Sequence, residues 1–502
     1  MGSCMGTKPS IIERTGRYLG GTIGHVALVF ALTHCGSATT EDNTSTAPTS
    51  SDTTPLTPGP VISPNPADPS SQAPTSPTNV PTSPAPANPT ITPTSPAPTD
   101  TSATNTPVPT TDDPSTSEPS ETSPTTATPT TPPPEGDDPA ASETSAELLA
   151  RLDLGWNLGN SLDVPESETY WGNPTVDAAL LQKVAELGFD IVRVPVTWSL
   201  FTGSAPAYTI DTARLARVAE VVRYARDAGM YVIINVHHDG ADGLDGVEWL
   251  TLNDANGAIT DANNAAVEAR FRAVWTQIAK YFEDYDHGLI FESMNEIHDG
   301  YDAPNPAYYP IINNLNQVFV DIVRAGGGNN PTRHLVVPGY NTNIEYTLAG
   351  FEKPTDPTPN RLILSVHYYD PWSFAGEGAS PAWGNGAPGA DNWGQEDFVK
   401  SQFQKLKTTY IDKGLPMIIG EYGAVNQTGA EKYRRYYMEY VTQAACQVGM
   451  VPIYWDNGGI GSGPDKFALI NRTTKAVVHS DILEAMFRGC ASTASLESIA
   501  KP

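Results

Sequence analysis

Cysteine is scarce in this 502-residue chain, with 4 residues, too few to build a small disulfide scaffold. Positive charge is scarce too: 29 Lys and Arg stand against 57 Asp and Glu, for a formal net charge of -28. A nucleic-acid partner needs a basic footprint to displace counterions from phosphates, so no nucleic acid is expected. Anionic lipid surfaces and polyanionic substrates are disfavoured by the same charge, and a neutral substrate fits better. No apolar run is long enough to span a bilayer; the stretch around Ile23 to Leu32 has the length of a signal-peptide core. Between Ser37 and Pro139 there is no Lys, no Arg and no aromatic residue. Such a segment cannot bury enough apolar surface to offset its ordering entropy. At about 150 residues per domain, length alone suggests three domains. The absences reduce that to one globular domain behind a long tail.

Lys8, Arg14 and Arg17 precede the apolar core, which ends in Leu32-Thr33-His34-Cys35. Residues 1–35 therefore read as an export signal, and the protein is expected to be extracellular or at the cell surface. The tetrapeptide resembles a bacterial lipoprotein box, which implies a lipid anchor at Cys35, although His34 departs from the small residue usual there. Ordinary signal cleavage and a misassigned start codon stay open beside lipidation. Residues 36–143, with repeats such as PTSPTNVPTSPAPANPTITPTSPAPTD, read as a disordered Pro/Thr/Ser-rich linker, either a spacer or a passive tail. Residues 144–491 have globular texture, and 492–502 form a short tail.

In that globular region apolar strand-like runs alternate with amphipathic helices. The runs are LDLGWNLG, FDIVRVPV, MYVIINVH, GLIFESMNE, RHLVVPGY, RLILSVHYY, LPMIIGEYG and MVPIYWDNGG. DTARLARVAEVVRYARDAG illustrates the helices: Asp211 is the expected N-cap, Leu215, Val218, Val222 and Ala225 share a face, and Gly229 supplies the left-handed stop. Gly188, Gly414 and Gly449 are expected to end helices in the same way. Eight alternations in roughly 350 residues predict an α/β fold, a (β/α)8 TIM barrel preceded by the disordered linker. A doubly wound sheet is the alternative, but GWNLGNSLD is not the phosphate loop it would need after its first strand.

Polar and aromatic residues collect at the C-terminal ends of these strands, where barrel active sites lie. They are Arg193 on strand two, His237 and His238 on three, Asn295 and Glu296 on four, His367 and Tyr369 on six, Glu421 on seven and Trp455 on eight. Each alone has a bland explanation as a solvated or structural side chain; their gathering on one face does not. His237-His238-Asp239 suggests metal ligands, but there is no third ligand of recognisable spacing and no HExxH, so neither metal nor cofactor is expected. Strands four and seven face each other across a small barrel, so the carboxylates of Glu296 and Glu421 can converge at about 5 Å, the spacing of retaining glycoside hydrolysis.

At this point the sequence resembles glycoside hydrolase family 5 of clan A, and within it the bacterial subfamily 4 endoglucanases and xyloglucanases. The motifs GWNLGNSLD, ETYWGNP, RVPVTW, VIINVHHD, FESMNE, LSVHYYDPW, IIGEYG and YWDNGG follow the family order, from about Arg151 to Arg488. The resemblance implies that Glu296 is the acid/base and Glu421 the nucleophile. Asn295 would hold the 2-hydroxyl of the cleaved sugar and Arg193 would lie by the nucleophile. His237 and His367 would bond substrate or carboxylates, Tyr369 would contact Glu421 and Trp455 would be the stacking floor. Asn160, Trp171 and His238 match positions on the glycone side. Ile297 departs from the proline common after the acid/base, which puts the loop after strand four in doubt. The implied enzyme is a secreted, monomeric endo-β-1,4-glucanase acting on β-glucan or a related plant cell-wall polysaccharide. Xyloglucanase, lichenase, xylanase, mannanase and a non-catalytic carbohydrate-binding barrel are the alternatives.

Three expectations come from the residues themselves. Apolar Met294 and Ile297 should favour the acid form of Glu296 by desolvation, while Arg193 favours the anion at Glu421. Trp171, Trp198, Trp249, Trp372 and Trp455 offer flat faces for sugar rings, whereas Trp275 sits on a helical core stripe. Cys446 and Cys490 end neighbouring helices of the outer ring at the bottom of the barrel, within reach of a disulfide in an oxidising compartment.

Overall fold

The computed structural model describes residues 142–240, 248–300 and 303–502. The export signal with Cys35, and the linker up to residue 141, lie outside the described residues. The eight apolar runs form β1 (Gly155–Leu158), β2 (Ile191–Val194), β3 (Tyr231–Asn235), β4 (Leu289–Glu292), β5 (Leu335–Pro338), β6 (Leu362–Tyr368), β7 (Met417–Tyr422) and β8 (Val451–Asp456). All pair in parallel in sequence order, and β8 returns to β1 to close the barrel. This is the (β/α)8 TIM barrel expected from the alternation of runs.

The helices are α1 (Ser145–Leu149), α2 (Ala178–Glu186), α3 (Thr212–Asp227), α4 (Asp261–Tyr281), α5 (Tyr308–Arg324), α6 (Ile344–Gly350), α7 (Trp372–Ala375), α8 (Glu396–Thr409), α9 (Glu431–Val448) and α10 (Ser480–Cys490). Their ends follow local chemistry. Asp177, Asp211, Thr260 and Asn343 accept backbone N–H bonds as N-caps of α2, α3, α4 and α6. Gly188, Gly229 and Gly449 follow α2, α3 and α9 at φ of 101°, 88° and 89°, a left-handed turn that L side chains resist.

Two apolar layers result. Helix stripes such as Leu215, Val218, Val222 and Ala225 pack against the outside of the strands. Inside, Ile191, Ile233, Ile290, Val336, Ile363, Ile418, Val451 and Ile453 fill the bottom of the barrel, and Leu148, Leu149 and Leu152 from α1 and its exit join them. β-Branched residues dominate this inner layer because their stiff side chains suit a tapering strand surface. With its lower end filled, the barrel presents its polar strand ends at the other.

Cys446 and Cys490 form a disulfide between α9 and α10, with Cα atoms 5.3 Å apart. Gly489, beside it, brings α10 so close to α9 that a Cβ there would stand 2.7 Å from the Glu439 carbonyl oxygen.

Candidate active site

The site forms where β6 and β7 fall out of register. Val366 pairs with Ile419, but His367 pairs with Glu421, so Gly420 is the extra residue of a bulge. Bulges re-aim side chains, and this one sets His367 opposite Glu421. Only glycine fits, because a Cβ at 420 would lie 2.6 Å from Ser365 Oγ and 3.0 Å from His367 Nε2. Asn157 Nδ2 on β1 donates to the Gly420 carbonyl at 2.8 Å and pins the bulge from the other side.

Glu421 is almost fully buried, and each of its oxygens has a donor. Arg193 Nη1 donates to Oε1 at 2.7 Å, and the Tyr369 hydroxyl donates to Oε2 at 3.1 Å. Burial raises the Tyr369 pKa well above its ordinary value, and the Glu421 charge adds to this, so the phenol keeps that proton. Glu296 is the more open carboxylate, with 24% of its side chain exposed against 7% for Glu421. His367 Nδ1 makes a short hydrogen bond to Glu296 Oε1 and lies 3.7 Å from Glu421 Oε2. Glu296, His367 and Glu421 each bring a ligand-type atom within 4.8 Å of the other two.

One sequence expectation is corrected here. Desolvation falls on Glu421 rather than Glu296, because Met294 and Ile297 turn into the core and leave the Glu296 carboxyl at the cavity wall. Burial pushes the Glu421 carboxyl up to about 7, outweighing the downward pull of His367 and Arg193. Arg193 favours the anion at Glu421 as expected, by its charge and by its hydrogen bond, but it is shared with other groups. Its Nε donates to Glu292 Oε2 at 2.6 Å and its Nη2 to Asn295 Oδ1 at 2.9 Å.

His237 is neutral, since burial and then the neighbouring His238 and Arg193 press its pKa well below the usual value. Asn235 Oδ1 accepts from Val196 N, which turns Asn235 Nδ2 toward His237 Nδ1 at 3.2 Å and leaves the imidazole proton on Nε2. Trp455 stacks 6.0 Å from His237, nearly parallel, and forms the floor of a cavity of about 380 Å³. Gly159 makes room for it, as a Cβ there would come within 2.7 Å of the indole.

Asn160, Trp171 and His238 gather around Asp163, and His238 also lines the cavity that holds Glu296 and Glu421. Asp163 Oδ2 accepts from Asn160 N at 2.9 Å and lies 3.8 Å from His238 Nε2, while Trp171 meets His238 edge-on at 5.8 Å. Both His238 nitrogens, Trp171 Nε1 and Asn160 Oδ1 are buried without a hydrogen-bond partner among the described residues. Asp163, His237 and His238 approach one another as metal ligands would, but Asp163 is committed to the N–H groups of Asn160 and Ser161 and His237 Nδ1 to Asn235. Neither this group nor the Glu296 group offers three uncommitted donors.

Among the tryptophans, Trp372 lines the cavity and Trp275 is core, as expected. Trp198 and Trp249 are not sugar platforms. Both are buried, and their indole N–H groups donate to the Asn235 carbonyl and to Asp239 Oδ1. Sequence reasoning missed Asn157, Asn235 and Glu292, although they lie inside the motifs GWNLGNSLD, VIINVHHD and FESMNE, because each precedes the predicted strand end where functional groups were sought. It also missed Thr342 after β5, whose hydroxyl reaches Glu296 Oε1 at 3.4 Å from a left-handed backbone. Ile297, in place of proline, donates its N–H to the Asn295 carbonyl and accepts from Asn341 N. That tie joins the β4 and β5 loops.

An eight-stranded barrel with two facing carboxylates, their hydrogen-bonded attendants and an indole floor defines a glycoside hydrolase. The chain belongs to glycosyl hydrolase family 5, whose cellulase model matches residues 157–461. It is similar to an endoglucanase A of Paenibacillus barcinonensis, with 41% identity over 69% of this chain and 90% of the relative. It is also similar to a xyloglucan-specific endo-β-1,4-glucanase of Bacteroides ovatus, at 36% identity over 69% of this chain and 70% of the relative. Among solved structures it resembles a family 5 xyloglucanase from Paenibacillus pabuli, with 42% identity, TM-score 0.64, and 68% of this chain and 99% of the other covered. A broad-specificity endoglucanase from Bacteroides salanitronis matches at 45% identity and TM-score 0.66, covering 70% and 96%. The protein is a glycoside hydrolase of the endoglucanase type.

Proposed function

We propose that the protein is an exported, retaining endo-β-1,4-glucanase that cleaves glucan backbones by double displacement, with Glu421 as nucleophile and Glu296 as acid/base. The observation that carries this is the close approach of the two carboxyl groups, with ligand atoms within 4.8 Å. Carboxyls about 5 Å apart leave no room for an attacking water between them, whereas inverting enzymes need about 6.5–9.5 Å. In the first step a Glu421 oxygen attacks the anomeric carbon. Glu296 gives its proton to the glycosidic oxygen, and the leaving sugar departs with that proton. In the second step Glu296, now a carboxylate, takes a proton from water, whose oxygen attacks the anomeric carbon and frees Glu421.

The other side chains fit this course. Asn295, oriented by Arg193 through its Oδ1, offers its amide N–H to a sugar hydroxyl, and His237 has its Nε2 proton for another. His367 serves both carboxylates, and Trp455 offers the ring face of an apolar sugar side. Asn160, Trp171 and His238 supply unpartnered polar atoms for the glycone. Xyloglucan is the second reading, supported by the relatives from Bacteroides ovatus and Paenibacillus pabuli. Export and a lipid anchor at Cys35 belong to the same proposal, supported by the basic-apolar N-terminus and testable by cell fractionation with labelled fatty acid.

Product stereochemistry tests the mechanism. Early NMR spectra should show the β-anomer from cellotetraose, Glu421→Gln should lose activity by at least about a thousandfold, and azide should restore turnover of an activated substrate by Glu296→Ala as a β-glycosyl azide. An initial α-anomer sinks the mechanism. Reducing ends released from a panel of soluble glucans, xyloglucan and mannan decide between the substrate readings.

A further inference from the structure

Glu292 ends β4 with its side chain inside the barrel and fully buried. Its Oε2 accepts from Arg193 Nε at 2.6 Å and from Asn235 Nδ2 at 2.9 Å. Arg193 reaches the other way, to Glu421 Oε1 at 2.7 Å and Asn157 Oδ1 at 3.1 Å through Nη1 and to Asn295 through Nη2. One buried cation therefore stands between two buried carboxylates, and Glu421 is only one of them. We propose that Glu292 is a positioning residue for the nucleophile: it anchors the guanidinium by its Nε edge and divides the arginine's charge between two carboxylates.

Geometry assigns both parts of this role. The guanidinium is planar and rigid, so gripping Nε fixes where Nη1 and Nη2 point. Nη1 then meets Glu421 and Nη2 meets Asn295, the two groups that must be aimed at the same sugar. Through Asn235 the same carboxylate oxygen also reaches the amide that orients His237. Burial opposes the charge on Arg193, and Glu292 exceeds Glu421 as the attraction that offsets it. The titratable groups facing Glu421 are Arg193 on β2, Glu296 after β4, and His367 and Tyr369 at the end of β6. Of these, Arg193 is the one that Glu292 touches. Removing the Glu292 charge hands the arginine to Glu421 alone, and a carboxylate with an undivided cation ionises more readily.

The inference rests on Glu421 being the nucleophile, and its test separates the two. Glu292→Gln keeps the shape and an acceptor oxygen for Arg193 Nε but removes the charge. The acid limb of kcat/KM on a soluble glucan, where the nucleophile becomes ionised, should move to lower pH by about one unit. A purely structural role for Glu292 would lower activity equally at every pH and leave the limb in place. Glu292→Asp keeps the charge but withdraws it by one methylene, so it should move the limb the same way by less; it provides the measurement if the glutamine variant does not fold. A limb at the wild-type position in either folded variant, with Glu421→Gln inactive, overturns the inference alone. A Glu421→Gln enzyme that still turns over overturns the reading beneath it.

Discussion

A carboxyl group buried beside a second carboxylate is a poor choice for stability and a good one for chemistry. Glu421 has an ordinary value of 4.5 that burial lifts to about 7, so the folded protein binds a proton there more tightly than the unfolded chain does. By linkage, such a group stabilises the fold below its unfolded pKa, and that contribution is lost as pH rises through the folded one. Glu421→Gln carries no charge in this window. The variant should be inactive, and its melting temperature should gain on that of the wild type as pH rises from about 4.5 to about 7. Parallel pH dependence in the two proteins, followed by calorimetry, would mean that Arg193 and Tyr369 compensate the burial in full. The two catalytic candidates were legible as residues because each ends a strand in a short motif. Their environments were not, since exposure of Glu296 and burial of Glu421 depend on side chains from other strands and their loops, such as Arg193, Thr342, His367 and Tyr369.

At the scale of elements, the bulge between β6 and β7 and the α9–α10 disulfide do opposite jobs at opposite ends of the barrel. The bulge gives up ladder regularity to bring His367 level with Glu421, and it tolerates only glycine at 420. The disulfide closes a loop with a sequence separation of 44 residues. In the chain-entropy account that restricts the unfolded state by roughly 4 kcal/mol. Reduction should therefore lower the melting temperature by several degrees while leaving activity at moderate temperature within about twofold, because the bond lies far from the substrate face. Thiol titration of a denatured, unreduced chain beginning near Ala140 should find none; two titratable thiols would contradict the bridge. Helix ends were readable from capping residues, and Gly420 inside a strand hints at a bulge, but that the bulge sets His367 opposite Glu421 depends on the register of β6.

For the molecule as a whole, composition sets residues 36–143 apart from the barrel. Residues 36–143 hold no aromatic side chain to stack on a sugar and no cation to guide one. A chain beginning near Ala140 should therefore fold and keep kcat/KM on soluble glucan within about threefold of the full-length protein, because remote residues add no contact in the transition state. A loss of more than about tenfold would show that the tail reaches the substrate or the barrel. The net charge of -28 gives the same expectation for the substrate, a neutral polysaccharide rather than a polyanion.

The sequence by itself determined the fold class, the helix stops and the set of strand-end groups. Those follow from local periodicity, capping chemistry and the rule that barrel sites lie at strand C-termini. Spacing along the chain placed Cys446 and Cys490 within reach of each other, with two free thiols as the alternative, and the folded structure joins them. Tertiary structure alone decided how the groups share one another. Arg193 is divided between Glu292 and Glu421, separated from it by about a hundred and by more than two hundred residues. Trp198 and Trp249 became core while Trp455 became floor. Burial and charge sharing are sums over neighbours brought together by closing the sheet, and no window of sequence contains those neighbours.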